Sequence, residues 1–192
     1  SEFLKKDMNH IYRQVTGLNN FEPVILTRCR EEEEHFPFDP SKIHIIPKSS
    51  LRLFRRVWYA QILKAPIPLG KTEVATMRRA LEESGAALLH IYFGHVAARL
   101  LPLLRETRLP RVVSFHGADA TTGLDNSRYR EALAEVFEHS TLVLGRSQAL
   151  LDRLAGIGCP QNKLKLQRTG IPLTDWTASS RHPPEHGAWR FA

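Results

Sequence analysis

The chain has 192 residues, which is enough for one domain with a sizeable core and short for two. Hydrophobic residues make up 42% and charged residues 24%, and no run approaches the roughly 20 apolar residues that span a bilayer. The net charge of +7 suits nucleic acid, anionic lipid or a phosphate-bearing substrate, but no nucleic-acid-binding signature accompanies it, so nucleic acid is not an expected partner.

Helices and strands alternate along the chain. Helices are predicted at 4–15, 51–64, 72–84, 96–107, 127–138 and 148–155, and strands at 23–27, 43–46, 87–92, 111–115, 141–144 and 164–166. Continuous apolar strands separated by helices predict an α/β fold of the Rossmann-like kind, an open parallel sheet with helices on both faces.

The two ends of the chain predict its domain organisation. The chain opens on a helix rather than a strand, and residues 174–188 are rich in Ser, Pro, His and Gly, as in a linker. We therefore expect a Rossmann-like domain over 1–173 with its first strand missing, a linker over 174–188, and the start of a second domain at 189–192. Cys29 and Cys159 lie outside any metal-binding spacing, which is typical of a reduced, cytoplasmic chain.

The helix predicted over 51–64 is basic and amphipathic. Its arginines are Arg52, Arg55 and Arg56, and its apolar stripe is Leu51, Phe54, Trp58 and Ile62. Such a stripe either faces the core, with the arginines in solvent, or lies on an anionic membrane surface. Peripheral membrane contact through 51–64 is the second of these two alternatives.

Ligands of open α/β sheets bind at the carboxyl ends of strands, and two strand ends here carry polar loops with a glycine. The first delivers Tyr92, Gly94 and His95, with Gly94 allowing a turn or the close approach of a ligand. A turn glycine beside a histidine without a ligand is the alternative interpretation.

The second loop delivers His116, Gly117 and Asp119. A neutral imidazole at a strand end can donate to a sugar hydroxyl or accept its proton, and Gly117 carries no side chain to block a ligand. Asp119 can orient His116 or cap the following turn. A plain turn without a ligand remains open as the alternative.

Two further candidates follow later strands. Ser147 begins a helix whose neighbouring backbone N–H groups suit an anion, and Arg146 can add positive charge, although a simple helix cap at Ser147 is the favoured alternative. Gly170 follows the last strand, where a second domain would begin. The spacing of His90, His95 and His116 is not a ligand pattern, so no metal is expected.

Several motifs resemble family 4 glycosyltransferases, in the same order along the chain. His90–Gly94 resembles the family's His-Ala-His-Phe-Gly, and Pro110–Asp119 resembles its Pro-x-Val-x-Thr-x-His-Gly-x-Asp. Ser147–Leu164 is similar to its serine, helix, Gly-x-Pro and Lys-strand run. Thr169–Leu173 resembles Asn-Gly-Val-Asp-x, and Ser1–Phe3 resembles Ser-Glu-Thr-Phe. Enzymes of exopolysaccharide and lipopolysaccharide assembly look most similar.

This resemblance implies a GT-B enzyme, in which two Rossmann-like domains face each other across a cleft. The amino-terminal domain mainly holds a glycan, lipid-linked or other acceptor, and the other domain mainly holds a nucleotide-sugar donor. It further implies no bound metal or other cofactor, retention of configuration, and a cytoplasmic enzyme, peripheral on the inner face of the membrane if 51–64 binds lipid. The family histidine that touches the donor sugar corresponds to His116, with Gly117 and Asp119 beside it.

The chain departs from the family pattern at several points. Tyr92 replaces a histidine, Pro172 stands where an acid is common, and Arg168 and Thr169 precede Gly170 where asparagine is usual. We expect the family's first strand and donor domain to lie outside this chain, and we therefore expect the isolated chain to be inactive. A different hypothesis is a non-catalytic Rossmann-like module that binds an anionic glycan or lipid head group.

Overall fold

The structure is a computed structural model that describes residues 3–5, 8–49 and 52–170. The predicted linker at 174–188 and the predicted second domain at 189–192 lie outside the described residues. The family resemblances of Ser1 and Glu2, and of the segment after Gly170, lie outside them as well.

The described chain forms helices and strands close to the predicted ones. The helices are α1 (Asn9–Thr16), α2 (Arg52–Val57, continued by a π-helix at Trp58–Ile62), α3 (Lys71–Glu83), α4 (Gly94–Arg99), α5 (Leu101–Glu106), α6 (Ser127–His139) and α7 (Gln148–Gly156). The strands are β1 (Ile25–Thr27), β2 (Ile43–Ile45), β3 (Leu89–Tyr92), β4 (Arg111–Phe115), β5 (Leu142–Gly145) and β6 (Leu164–Leu166).

All of the strand pairs among the described residues are parallel, which confirms the predicted α/β class. The strands β3, β4, β5 and β6 pair in chain order as a four-stranded sheet. The strands β1 and β2 pair separately as a two-stranded sheet, so the strands lie in two sheets rather than in one. Helices flank these sheets, as expected for parallel strands joined by crossovers.

The main core surrounds β4. Val113 and Phe115 on this strand are fully buried, as are Val143 on β5 and Leu154 on α7. Burying each such side chain stabilises the fold by about 1.5–3 kcal/mol relative to leaving it in water. Ser114, between Val113 and Phe115, is buried as well, so both faces of β4 are covered over these three residues.

The single helix predicted over 96–107 is wrong, because the chain forms two helices there. The first, α4, ends at Arg99, and Pro102 lies in the first turn of α5. Proline has no N–H to donate to the preceding turn, and its ring clashes with the carbonyl group four residues earlier. The break at Leu100 removes both conflicts.

Two other helix predictions need correction. The first helix begins at Asn9 rather than at Leu4, and Leu4 is buried in non-helical chain. The apolar residues of α2 and its π-helical extension do not face the core, because Phe54, Trp58 and Ile62 are all exposed. The interpretation of that stripe as a core-facing one is therefore wrong for these three residues.

Candidate active site

Strand register brings the candidate residues to one edge of the four-stranded sheet. Tyr92 on β3 lies opposite Ser114 on β4, and Phe115 on β4 lies opposite Gly145 on β5. The next residues along the chain, His116 and Arg146, are therefore neighbours just beyond the carboxyl ends of adjacent strands. This is the edge at which open α/β sheets bind their ligands.

The imidazole of His116 is half-buried among aromatic rings. The rings of Phe93 and Tyr92 approach it with centroids 4.3 and 6.1 Å away. Nη2 of Arg146 lies 3.2 Å from His116 Nδ1 and 3.4 Å from Nε2. Because an arginine nitrogen only donates, a neutral imidazole can accept from it at one ring nitrogen and keep a proton on the other.

The surroundings of His116 keep it neutral. Burial lowers its pKa to about 3, and the positive charge of Arg146 lowers it in the same direction. Burial also lowers the pKa of Arg146, and the negative charge of Asp119, which acts in the opposite direction, offsets only part of this effect. The site therefore combines an uncharged imidazole, able to donate to or accept from a hydroxyl group, with an adjacent cation.

Asp119 organises the backbone of the site. Its Oδ1 accepts hydrogen bonds from the backbone N–H groups of His116 and Gly117, both at 2.9 Å. Its Oδ2 accepts from the backbone N–H of Gly94 at 2.8 Å, and the carboxylate is buried. Three N–H groups from two strand-end loops thus converge on one side chain, so Asp119 holds the loops of β3 and β4 together.

Close packing against Phe115 requires a glycine at position 94. A Cβ atom at this position would lie 2.1 Å from Cε1 of Phe115, far inside van der Waals contact. The ring of Phe115, rather than open space for a ligand, therefore lies where a side chain of residue 94 would point. Gly117 differs, because it has a φ of +119° and open space around the Cβ position, as a turn that exposes its backbone requires.

A cavity of about 820 Å³ opens beside this cluster. Its walls include His95 and Asp119 from the strand-end loops, Tyr129 from α6, and Lys64 and Pro66 from the chain after α2. Its volume lies within the range usual for ligand sites. His95 lines this cavity with part of its side chain in solvent, and the desolvation of the remainder lowers its pKa.

The last two predicted residues lie at the margin. The hydroxyl group of Ser147 accepts from the backbone N–H of Leu150 at 3.2 Å, so Ser147 is the N-cap of α7. Gly170 is exposed in the chain that follows β6. The contacts described above unite His116 with Tyr92, Arg146 and Asp119, and the cavity unites Asp119 with His95.

Sequence reasoning missed two contributors to the site. The ring centroid of His10, on α1, lies 5.4 Å from that of His116. No local sequence pattern predicts this contact, because it depends on how distant parts of the chain pack together. Nε2 of His90 lies 2.6 Å from the hydroxyl oxygen of Ser114, and burial lowers the pKa of His90 to about 4. The alternation of side chains along β3 could have predicted this role for His90, because residues two apart on a strand share a face and Tyr92 is two residues further on. The ring of Tyr92 stacks on that of His90 with centroids 4.4 Å apart.

Within the described ranges, no group of three His, Cys, Asp or Glu side chains is placed to hold a metal ion. Across the same residues, each helix is too short or too polar to cross a membrane.

Comparison with known proteins agrees with this architecture. No curated protein matches the chain. The family model for a glycosyl transferase 4-like domain matches residues 9–170, a span that contains β1 to β6 and the whole strand-end cluster. The chain therefore belongs to the glycosyl transferase 4-like domain family.

Proposed function

We propose that the chain is the acceptor-side half of a GT-B glycosyltransferase that moves a sugar from a nucleotide-sugar donor to a glycan or lipid-linked acceptor, with retention of configuration. The observation that carries the proposal is the contact between His116 and Arg146 just beyond the ends of adjacent strands. Nη2 of Arg146 lies 3.2 Å from Nδ1 of His116. Membership of the family supports the general activity. Polysaccharide assembly on the cytoplasmic face of the membrane is the role that its motifs suggest.

The chemistry of the cluster suits a sugar donor. A neutral His116 donates to a hydroxyl group of the sugar, or accepts its proton, without bringing a second charge. Arg146 supplies positive charge beside it, which is suited to a phosphate oxygen of the donor. Tyr92 and Phe93 form an aromatic wall against which an apolar sugar face can pack.

The cavity suits an acceptor. It adjoins the cluster through His95 and Asp119, and Arg99, Thr122 and Asn126 add polar groups for hydroxyl recognition. A sugar held by His116 would thus have its acceptor approach from the side of His95. We assign to Gly117 a backbone contact with the ligand, because its turn exposes the backbone. To Gly94, Ser147 and Gly170 we assign no ligand contact, and we propose that they shape the loops around the site.

The test is a transfer assay with the full-length protein. A panel of nucleotide sugars is offered with a membrane-lipid extract or a polysaccharide fraction, and release of nucleoside diphosphate and labelled product are both measured. We expect one donor to give product in an acceptor-dependent way. Binding of an acceptor glycan without turnover of any donor would instead indicate a non-catalytic module.

A further inference from the structure

The helix α2 is attached to the domain through Arg55 and exposes its apolar side chains to solvent. Nη1 of Arg55 donates to Oε2 of Glu73 at 3.0 Å, and only 3% of Glu73 is exposed. In contrast, Leu53 is 75% exposed and Phe54 is 69% exposed. A surface helix usually packs its apolar face inward, whereas here the apolar side chains meet water.

The exposed apolar side chains are contiguous. The rings of Phe54 and Trp58 stack with centroids 6.4 Å apart, and Val57 and Ile62 extend the same surface along the helix. We call these residues, with Leu53, the apolar patch. Scattered apolar residues on a surface need no explanation, but a contiguous patch that includes two large aromatic rings marks an interaction site.

The charge around the apolar patch indicates the kind of surface that it binds. No aspartate or glutamate occurs from residue 41 to residue 72, whereas seven lysines and arginines do. Of these, Arg56 and Lys64 are exposed next to the patch, and Arg55 is turned inward to Glu73. A basic border around exposed Leu, Phe and Trp side chains complements an anionic lipid surface.

We infer that the apolar patch docks on an anionic lipid bilayer, with Arg56 and Lys64 at the head groups. A second copy of the chain fits this surface poorly, because self-association would bring two acid-free basic segments together in a protein that carries a net charge of +7. The patch enters the bilayer interface and does not span it.

Docking would place the mouth of the cavity at the membrane. Lys64 and Pro66, which follow the apolar patch, line that cavity together with His95. The side-chain amide of Asn126, which also lines the cavity, donates to the carbonyl oxygen of Lys64 at 2.5 Å and so ties the segment to the start of α6. If the cavity holds the acceptor, as proposed above, an acceptor at the membrane is a lipid-linked one. This consequence rests on the proposed function, whereas docking itself does not.

The experiment is co-sedimentation of the 192-residue chain with vesicles of phosphatidylcholine alone and of phosphatidylcholine mixed with phosphatidylglycerol. Two double variants test the surface: Phe54→Ser with Trp58→Ser, and Arg56→Glu with Lys64→Glu. Matched controls are Leu18→Ser with Phe21→Ser, which are exposed apolar residues elsewhere, and Lys165→Glu with Arg168→Glu, which are exposed basic residues near β6. Circular dichroism establishes that each variant is folded.

We expect the unmodified chain to bind the anionic vesicles and each test variant to bind about tenfold more weakly or worse, with both controls unchanged. A second readout is quenching of Trp58 by brominated phosphatidylglycerol in a chain carrying Trp176→Phe and Trp189→Phe, in which Trp58 is the remaining tryptophan. Equal binding by test and control variants, or unquenched Trp58, would overturn the inference. So would a concentration-dependent dimer that the Phe54→Ser with Trp58→Ser variant abolishes. None of these readouts involves sugar transfer, so docking and the proposed activity can fail independently.

Discussion

The buried carboxylate of Asp119 accepts a hydrogen bond from the backbone N–H of Gly94 at 2.8 Å, and this bond joins the end of β3 to the end of β4. The other oxygen of the same carboxylate holds the backbone of His116 and Gly117. The position of the imidazole therefore depends on a side chain that does not itself have to touch a substrate.

Replacing Asp119 with Asn should destabilise the domain. The amide group has one oxygen, so at least one of the two loops meets an N–H group where it needs an acceptor, in a buried place. We expect a loss of about 1–3 kcal/mol in the free energy of unfolding, measured by urea denaturation. Asp125→Asn makes the same change of charge at an exposed position in the neighbouring loop and should leave stability nearly unchanged. Equal effects of the two substitutions would contradict the role assigned to Asp119.

Replacing Gly94 with Ala should also destabilise the domain, for a steric reason. The new methyl group would overlap the ring of Phe115, which is itself fully buried and can move only by disturbing the core. Overpacking of this kind costs about 1–3 kcal/mol, and Phe115→Leu in the same chain should recover part of that loss because it frees space. The control is Gly156→Ala in α7, where nothing besides the backbone of the helix itself lies within 4 Å of the added carbon. Thermal unfolding measures all three effects.

The anchor of α2 should make stability depend on pH. Burial opposes ionisation of Glu73, but hydrogen bonds from Gly70 and Arg55 and the charges of Arg28 and Arg55 outweigh it and lower the pKa. Because the folded-state pKa lies below the unfolded one, the stabilisation is complete above the ordinary pKa of about 4.3 and is lost as the pH falls through the folded value. Glu73→Gln should therefore be clearly less stable than the unmodified chain at pH 7, and the difference should shrink in acid. A difference independent of pH would exclude the ion pairs as its cause.

His116 should stay neutral in mildly acidic solution. Its pKa is lowered to about 3, below that of an ordinary imidazole, so protonation below about pH 6.5 favours the unfolded chain over the folded one. In an NMR titration, the ring resonances of His116 should not shift between pH 7.5 and about 5. Arg146→Met removes the nearby charge and should raise the pKa of His116. An ordinary titration of His116 in the unmodified chain would contradict the burial described here.

Much of the fold was predictable, because the period of the apolar residues carries it. Continuous runs at 111–115 and 141–144 indicate strands covered on both faces, and parallel strands bring His116 and Arg146 to one edge. The cap at Ser147 is equally local, since its hydroxyl group bonds to the N–H group three residues later.

The remaining features depend on contacts that no local pattern encodes. A stripe of Phe54, Trp58 and Ile62 has the same period whether it faces the core or solvent, and its direction is decided by Glu73, a distant residue that binds Arg55. The approach of His10 to His116 depends on how α1 packs over Tyr92 and Phe93. Gly94 resembles a ligand-binding glycine in sequence, and only the ring of Phe115 reveals its packing role.

The most direct test of the central claim is the rate of sugar transfer by the full-length protein with His116→Ala, compared with His35→Ala, a substitution in an exposed loop. If His116 contacts the donor sugar as proposed, kcat/KM should fall about 100-fold or more for His116→Ala and remain unchanged for His35→Ala, with both variants folded. Near-normal transfer by His116→Ala would contradict the account, because it would remove the imidazole at the end of β4 from the reaction.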